Sequence, residues 1–444
     1  MVSKLSSIEV LHFLVIVSVV LITARVLGEI CRKFKQPVVV GEILAGIIIG
    51  PSLLGTFFPD VFNNIFLSEP RAYGAFDGLA NLGIILLMFV AGIEVDLKQI
   101  RSQGKQATSI SITSIALPFA MGFGAVWFFH DYIFPVPSND RLIPSLFFGT
   151  ALSITALSVI VKVLIDLNII KTKVGSLVVT AAMVNDFLGW VLFSIIIKMM
   201  DPGKGDGSTV SILVVLLFAL FMVTGGRWLI DKLLGLTKKH ISGPGGIITV
   251  SCCLCFLGAV ITEYLGIRGV FGAFLMGIAV GDSKHFSDST QNVLHQFVMY
   301  IISPLFFASV GLRVNFATNF DLTVVSIIVG IASIAKIVGA GIGARASGLK
   351  KNESLAIAFG MNARGSQEIV LGIVALQVKI IDERIFVGLV VMTVLTVLIA
   401  GPLMKYYLEK HLAESKEPAE VDIPISTRIL EQPEVVTTPV TIKG

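Results

Sequence analysis

One aspartate in an otherwise apolar segment has the clearest chemical potential in this sequence. Asp186 follows Asn185 inside the apolar run 178–190. An ionisable side chain deep in an apolar environment is costly to keep and usually serves function. A lone carboxylate there can hold a proton or a small cation but not both, and that competition is the minimum requirement for exchanging one for the other. The alternative is a structural aspartate that burial keeps neutral.

A lysine interrupts a second apolar run. Lys336 lies within 334–339, among isoleucine, alanine, valine and glycine. A buried lysine either pairs with a carboxylate or loses its proton. Two hypotheses follow and stay open. Lys336 forms an ion pair with Asp186 that breaks when a cation binds, or its charge holds together two helices or the dipole of a broken helix.

Hydroxyl side chains recur every two or three residues beside Gly149, at Thr150, Ser153, Thr155 and Ser158. This pattern suits a helix that unwinds at mid-membrane, where freed carbonyl and hydroxyl oxygens can line a cation site. The alternative is ordinary packing of small residues between helices. All four hydroxyls are therefore candidates to line a cation site, with Thr150, Ser153 and Ser158 as secondary ones.

A second segment, 360–368, places two charges and two amides inside an apolar run. A continuous lipid-facing helix would not tolerate them, so an interruption is predicted there. Arg364 and Glu368 stand at i and i+4 and can pair on one face. We expect both to be structural charges that stabilise the break.

The composition shows what must position these residues. Of the 444 residues, 55% are hydrophobic and 14% are charged, and the mean hydropathy is +0.89. Soluble domains carry about 25% charged residues, so this chain is predicted to be an all-α polytopic membrane protein. No basic patch with interleaved aromatic residues suggests nucleic-acid binding, and no phosphate-binding loop or nucleophile–base pair suggests an enzyme or a cofactor.

Apolar runs of roughly 20 residues are long enough to cross a bilayer. They predict thirteen spans, at about 8–30, 37–55, 75–95, 107–130, 142–165, 174–199, 208–234, 246–264, 268–281, 293–313, 322–346, 353–377 and 384–408.

The order of the polar features suggests an internal repeat. Thirteen spans divide into six, one linker and six, so the two interrupted spans, five and twelve, are each fifth in their half. Inverted repeats whose broken helices cross at the substrate site have this arrangement.

Lysine and arginine concentrate in the connections after odd-numbered spans. The positive-inside rule then places the N-terminus outside and the C-terminus in the cytoplasm of a cell-membrane protein. Residues 1–410 are predicted to form the transmembrane domain, and the polar, proline-containing segment 411–444 a disordered cytoplasmic tail.

Several motifs in order carry a family resemblance. They are QPVVVGEILAG at 36–46, GPSLLG at 50–55, LLMFVAGIE at 86–94, RGVFGAF at 268–274 and FFASVGL at 306–312. With them the chain, from about 8 to about 408, resembles the monovalent cation:proton antiporter-2 family.

This resemblance implies a homodimer in the lipid membrane. A dimerisation side would comprise about 8–95 and 246–313, and a mobile core about 107–199 and 322–408, joined by the linker helix at about 208–234. The core would carry the ion by an elevator-type movement. Asp186 would be the ion-binding carboxylate with Thr155 as its neighbour, and Lys336 matches the family's span-eleven lysine.

Two departures from the family pattern limit which family properties can be expected of this chain. Electrogenic sodium/proton members have two adjacent aspartates where this chain has Asn185 and Asp186, whereas many electroneutral members carry arginine in place of Lys336. Electroneutral and electrogenic schemes therefore both stay open. In addition, the tail is too short for the nucleotide-binding domain of glutathione-gated potassium-efflux relatives.

The leading hypothesis is thus an antiporter that exchanges Na⁺, or else Li⁺ or K⁺, for H⁺ at Asp186. The runner-up is a sodium- or proton-coupled symporter of a small organic anion on a similar scaffold, with Arg364 and broken-helix N-termini facing the anion. A channel is a third reading, but no ring-forming filter motif is visible.

Overall fold

A computed structural model describes residues 4–34, 36, 38–95, 104–133, 141–155, 157, 160–161, 164, 172–199, 209–241, 244–265 and 269–415. Every regular element in these ranges is helical, which confirms the predicted all-α class. The α-helices are α1 Ser7–Lys33, α2 Val38–Ile49, α3 Leu54–Phe57, α4 Pro59–Phe62, α5 Pro70–Ile93, α6 Gly104–Ile133, α7 Leu142–Ser153, α8 Lys173–Met199, α9 Thr209–Phe221, α10 Arg227–His240, α11 Pro244–Tyr264, α12 Gly269–Gly281, α13 Asp288–Phe297, α14 Ser303–Arg313, α15 Leu322–Ala346, α16 Lys351–Met361, α17 Ser366–Gln377 and α18 Glu383–Ser415. Three π-helical turns, at Asn63–Leu67, Met222–Gly226 and Val298–Ile302, adjoin some of them.

The long helices have membrane dimensions. Within the described ranges, nine helical stretches are long and apolar enough to cross a bilayer, and three shorter apolar helices accompany them. A helix satisfies its backbone hydrogen bonds internally, which is what a lipid environment demands. The chain is therefore a multi-pass membrane protein, while the count of thirteen spans and the inverted repeat stay predictions.

Local signals explain where individual helices begin. At the start of α1, the Ser6 hydroxyl accepts from the Glu9 amide, and the Glu9 carboxylate accepts from the Ser6 amide, which forms a capping box. Pro70 occupies the first turn of α5, where its missing N–H costs nothing. Asp321 caps α15 by accepting from the amides of Thr323 and Val324.

Some predicted boundaries move. The predicted linker span, about 208–234, extends to His240, because α10 continues it as an amphipathic helix with a charged last turn. The last helix continues through Ser415 into the segment predicted to be disordered, so residues 411–415 correct that boundary. Residues 416–444 lie outside the described residues.

The helices pack into two groups. One contains α1, α2, α5 and α11 to α14, and the other contains α6 to α8 and α15 to α18. In the first group, α2 and α14 meet backbone to backbone, since an added Cβ at Gly46 would overlap the carbonyl of Ala308, and one at Gly311 would overlap Gly46. Small residues permit such close approach of membrane helices.

Aromatic side chains connect the two groups. Trp190 of α8, which is 1% exposed, contacts the ring of Phe274 of α12 with 6.3 Å between centroids. Within the second group, α15 packs along α6, and α16 packs on both α15 and α18. These contacts bring the two interrupted helices together near the middle of α8.

Candidate functional site

The first interrupted helix ends at Ser153. Ile154 has an extended backbone with φ −68° and ψ 152°, Thr155 is also non-helical, and Leu157 is helical again. A helix end leaves its last carbonyls without intrahelical donors. In lipid those carbonyls need partners from elsewhere in the chain.

Arg364 supplies most of those partners. Its Nη1 donates to the carbonyls of Ala151 at 3.1 Å and Ile154 at 3.4 Å, and its Nη2 donates to Leu152 at 2.7 Å and Ala332 at 3.4 Å. The side chain is 0% exposed. A guanidinium presents several donors in a rigid fork, which suits three carbonyls near one helix end. Arg364 thus stabilises the break of the other helix, and not only its own, as the sequence suggested.

The second interruption lies between Met361 and Ser366, across Asn362–Gly365. The Glu368 carboxylate accepts from the Gly365 amide at 2.8 Å and so caps α17. Glu368 Oε1 lies 4.0 Å from Arg364 Nη1, which is the i, i+4 arrangement expected from the sequence. Thr155, in the first break, donates to the carbonyl of Met361 at 3.2 Å. Each break therefore contacts the other, and we call the place where they meet the helix crossing.

Asp186 lies at this crossing. The side chain is 1% exposed, its Oδ2 accepts from Gln367 Nε2 at 2.8 Å, and it also accepts from the backbone of Leu157 in the first broken helix. Its Oδ1 is buried and has no hydrogen-bond partner among the described residues. Within the described chain, no lysine, arginine or histidine nitrogen lies within ion-pair distance of this carboxylate.

Lys336 is directed elsewhere. The side chain is 0% exposed, and Nζ donates to the carbonyls of Ser114 at 3.0 Å and of Ser153 at the end of α7. The direct ion pair with Asp186 that the sequence left open is not formed in this conformation. The observed contacts match the other hypothesis, in which a charge holds the C-terminal dipole of a broken helix.

Asn185 completes the surroundings of Lys336. With the amide oxygen facing Lys336, Oδ1 lies 3.0 Å from Nζ, and Nδ2 donates to the carbonyl of Ala181 at 3.1 Å. The opposite orientation would place an NH₂ group against an ammonium, and an ammonium can only donate. Ser114 Oγ and Thr155 Oγ1 lie 3.1 and 3.3 Å from the same amide atom. Thr155 therefore neighbours Asn185 rather than hydrogen-bonding Asp186.

Two secondary candidates bond backbone carbonyls. Thr150 donates to the Leu146 carbonyl of its own helix, and the Ser153 hydroxyl lies within hydrogen-bond distance of the carbonyls of Gly149 in its own helix and Ile115 of α6. Such bonds satisfy a hydroxyl inside an apolar helix. Neither hydroxyl contacts Asp186. Ser158, the remaining candidate, lies outside the described residues.

Sequence reasoning assigned no role to Gln367, although it lies inside the segment 360–368 singled out above. An amide or carboxylate inside an apolar run is visible in the sequence, but the sequence does not indicate which distant residue that side chain will face.

The buried charges balance formally. Asp186, Glu368, Lys336 and Arg364 are each at most 1% exposed. With all four ionised, the two carboxylates and two cations sum to zero. Since Arg364 and Lys336 are directed at helix-end carbonyls, Asp186 is the member without a cationic contact.

Two broken helices that cross beside a buried carboxylate define a secondary transporter of the ion-coupled class. A family model described as "Sodium/hydrogen exchanger, transmembrane" matches residues 16–410. The chain belongs to this family, and the predicted monovalent cation:proton antiporter family is confirmed. The family consists of transporters rather than enzymes.

The names of similar proteins agree with this family assignment. The chain is 32% identical over 387 residues to the Na(+)/H(+) antiporter NhaS4 of Synechocystis, covering 86% of this chain and 93% of that protein. It is 31% identical over 386 residues to the K(+)/H(+) antiporter 1 of Saccharomyces cerevisiae, covering 83% of this chain but only 43% of that protein. In fold it resembles the sodium proton antiporter MjNhaP1 of Methanocaldococcus jannaschii, with a TM-score of 0.64 at 16% identity, over 92% of this chain and 99% of that one.

Proposed function

We propose that this protein exchanges Na⁺, or alternatively Li⁺ or K⁺, for H⁺, with Asp186 as the site where cation and proton compete. The observation that carries the proposal is that Asp186 is buried at the helix crossing, has one unpartnered oxygen and lacks a cationic contact. A bare buried carboxylate is strongly disfavoured. It is relieved either by a proton or by a desolvated metal cation, and each excludes the other.

Charge balance gives the coupling rule. With Asp186 protonated, the four buried groups carry one net positive charge, and with Asp186 ionised and one alkali cation bound they carry the same charge. A cation can therefore enter without a change of net charge only if one proton leaves. The proton that leaves can come from Asp186 or from Lys336. The contacts of Lys336 with the Ser114 and Ser153 carbonyls, and not with Asp186, favour Asp186. One cation then exchanges for one proton, and the cycle is electroneutral.

We also propose a core, a dimerisation side and a linker helix for this protein. The second helix group, about 107–199 and 322–408, is the core that carries the ion in an elevator-type movement. The first group, about 8–95 and 246–313, forms the dimerisation side, with the linker at about 208–234. The outward face of α1 supports dimer or lipid contact, since Ile8, Leu11 and Ile22 are 60%, 60% and 65% exposed. The N-terminus is outside and the C-terminus cytoplasmic.

The competing symporter hypothesis loses its strongest residue. Arg364 was its candidate for binding an organic anion, but its two terminal nitrogens are engaged by backbone carbonyls. The apolar surroundings of an acidic Asp186 also disfavour a second negative group.

The test uses purified protein in liposomes with a trapped pH dye and an imposed pH gradient. Sodium, lithium, potassium or choline salts are added in turn. We expect alkali cations, but not choline, to collapse the gradient, and the Asp186→Asn variant to be inactive. Asp60→Asn makes the same chemical change at an exposed position and should behave as wild type. Unimpaired exchange in folded Asp186→Asn protein would refute the assigned site.

A further inference from the structure

Unpartnered oxygens gather at the helix crossing. Among the described residues, the buried carboxyl and amide oxygens without a hydrogen-bond partner include Asp186 Oδ1, Gln367 Oε1, Glu368 Oε1 and Asn362 Oδ1. All four belong to the crossing, and their side chains are at most 2% exposed. Of these oxygens, Glu368 Oε1 has Arg364 Nη1 4.0 Å away as an ion-pair partner. Native proteins rarely leave buried acceptors unpaired, and each case calls for an explanation such as an ion.

Gln367 is the member held directly against Asp186. It stands in the first turn of α17, it is 2% exposed, and its Nε2 donates to Asp186 Oδ2 at 2.8 Å. Its Oε1 shares a carbon atom with that nitrogen, and Asp186 Oδ1 shares a carbon atom with Oδ2. The two unpartnered oxygens therefore belong to the amide and the carboxylate that this hydrogen bond joins.

The present orientation suits a carboxylate without a cation. The N–H of the amide and the N-terminal end of α17 both place partial positive charge toward Asp186. A metal cation on that carboxylate would be repelled by the same N–H. Rotating the amide by half a turn about its last torsion exchanges nitrogen for oxygen and removes the repulsion. Hard cations prefer oxygen ligands of this kind, including carboxylates and side-chain amide carbonyls.

We propose that the Gln367 side chain reverses with occupancy, its N–H stabilising the cation-free Asp186 carboxylate and its Oε1 serving as a ligand of the bound alkali cation. Gln367 thereby sets cation affinity and selectivity. Asn362 Oδ1, in the break that precedes α17, is a further buried oxygen for which the described residues supply no hydrogen-bond donor. The inference rests on the proposed function, because it presupposes that Asp186 binds the cation.

The experiment measures the KM for Na⁺, Li⁺ and K⁺ in proteoliposomes for wild type, Gln367→Met, Gln367→Glu and Gln377→Met. Methionine keeps the length but lacks the oxygen, so we expect KM for the preferred cation to rise at least about tenfold, or about 1.4 kcal/mol, and the ratios among the cations to change. Glutamate keeps an oxygen ligand and should retain cation binding. Gln377→Met, at the exposed end of the same helix, is the matched control.

A second readout is independent of transport. Cation that binds the folded state raises its thermal midpoint in detergent. We expect saturating cation to stabilise wild type, Gln367→Glu and Gln377→Met, and to stabilise Gln367→Met only at about tenfold higher concentration.

The outcomes separate this inference from the proposed function. Unchanged KM values and ratios in Gln367→Met, with wild-type exchange intact, overturn the ligand role alone. A lower maximal rate with every KM ratio preserved also overturns it, since that is the signature of a merely structural contact. Absence of exchange and of cation stabilisation in folded wild type overturns the proposed function itself. If Gln367→Met does not fold, Gln367→Asn, which withdraws the oxygen by one methylene, takes its place with the same expectations.

Discussion

Replacing Arg364 by methionine should destabilise the protein because one guanidinium satisfies the carbonyls at the end of α7. Two contacts are short, to Leu152 at 2.7 Å and Ala151 at 3.1 Å, and two are long, to Ile154 and Ala332 at 3.4 Å. Counting only the short pair, at about 1–3 kcal/mol for each acceptor left unsatisfied, gives about 2–6 kcal/mol. Relief of the buried guanidinium opposes this loss, whereas Glu368, left without its partner at 4.0 Å, adds to it.

We therefore expect a net loss of about 3 kcal/mol, near the lower limit for breaking a buried ion pair. For a chain of 444 residues, that corresponds to a fall of about 3 °C in the thermal midpoint. The assay heats purified protein in detergent and follows the folded fraction by size-exclusion chromatography. Arg345→Met is the control, since Arg345 is exposed and donates to the single carbonyl of Leu349 at 2.9 Å. Its midpoint should change by no more than about 1 °C.

Arg364→Lys refines the test. An ammonium carries three donors at one point, whereas the guanidinium spreads its donors over a plane, so we expect an intermediate midpoint. If Arg364→Met were as stable as wild type yet inactive in transport, the reasoning would be refuted. The guanidinium would then act on the substrate, and the organic-anion symporter would become the better hypothesis.

Three further predictions follow from the same contacts. Lys336→Met should lower the thermal midpoint, because the Ser114 and Ser153 carbonyls lose their donor, but cation-dependent proton movement should persist; complete loss of transport in a folded protein would instead assign the proton to Lys336. Asn185→Asp places a second carboxylate where an amide oxygen now lies 3.0 Å from Lys336 Nζ, so exchange should become sensitive to an imposed membrane potential, and an unchanged response would contradict this. Gly311→Ala should lower the midpoint because α2 and α14 must separate, whereas Gly330→Ala, with nothing within 4 Å of the added carbon, should not; equal midpoints would show that this crossing is not tightly packed.

The positions of both helix interruptions could be predicted from sequence. The first was predicted from hydroxyls that recur beside Gly149, and the second from charges and amides inside an apolar run, which cannot face lipid. The cost of burying such groups belongs to the residue type and is visible without coordinates, and the choice of Asn185 and Asp186 as candidates rests on the same cost. The distinction between a lysine that pairs with Asp186 and one that holds a helix end depends on geometry, and sequence left it open for that reason.

Partners across the two halves could not be predicted. Arg364 binds Leu152, Thr155 binds Met361 and Lys336 binds Ser153, and in each case the acceptor is a backbone carbonyl. Every residue has such a carbonyl, so the sequence carries no mark of which one is used. Spacing along a helix also predicts only neighbours on that helix. It therefore suggested the Arg364–Glu368 pair but gave no indication that Gln367 would face Asp186.

The same division of roles explains why exchange can be tightly coupled. Under the proposed function, Lys336 and Arg364 keep their charges because backbone carbonyls hold them, and Asp186 alone changes its occupant. If the carboxylate were empty and ionised while crossing the apolar contact between the two helix groups, beside Trp190 and Phe274, it would carry an unpaired charge through a low-dielectric region. A proton or a cation removes that penalty, and both states can cross. Electrostatics alone therefore disfavours the return of an empty, ionised carboxylate. A variant with a permanently neutral side chain at position 186 should lose exchange without allowing uncoupled ion flow.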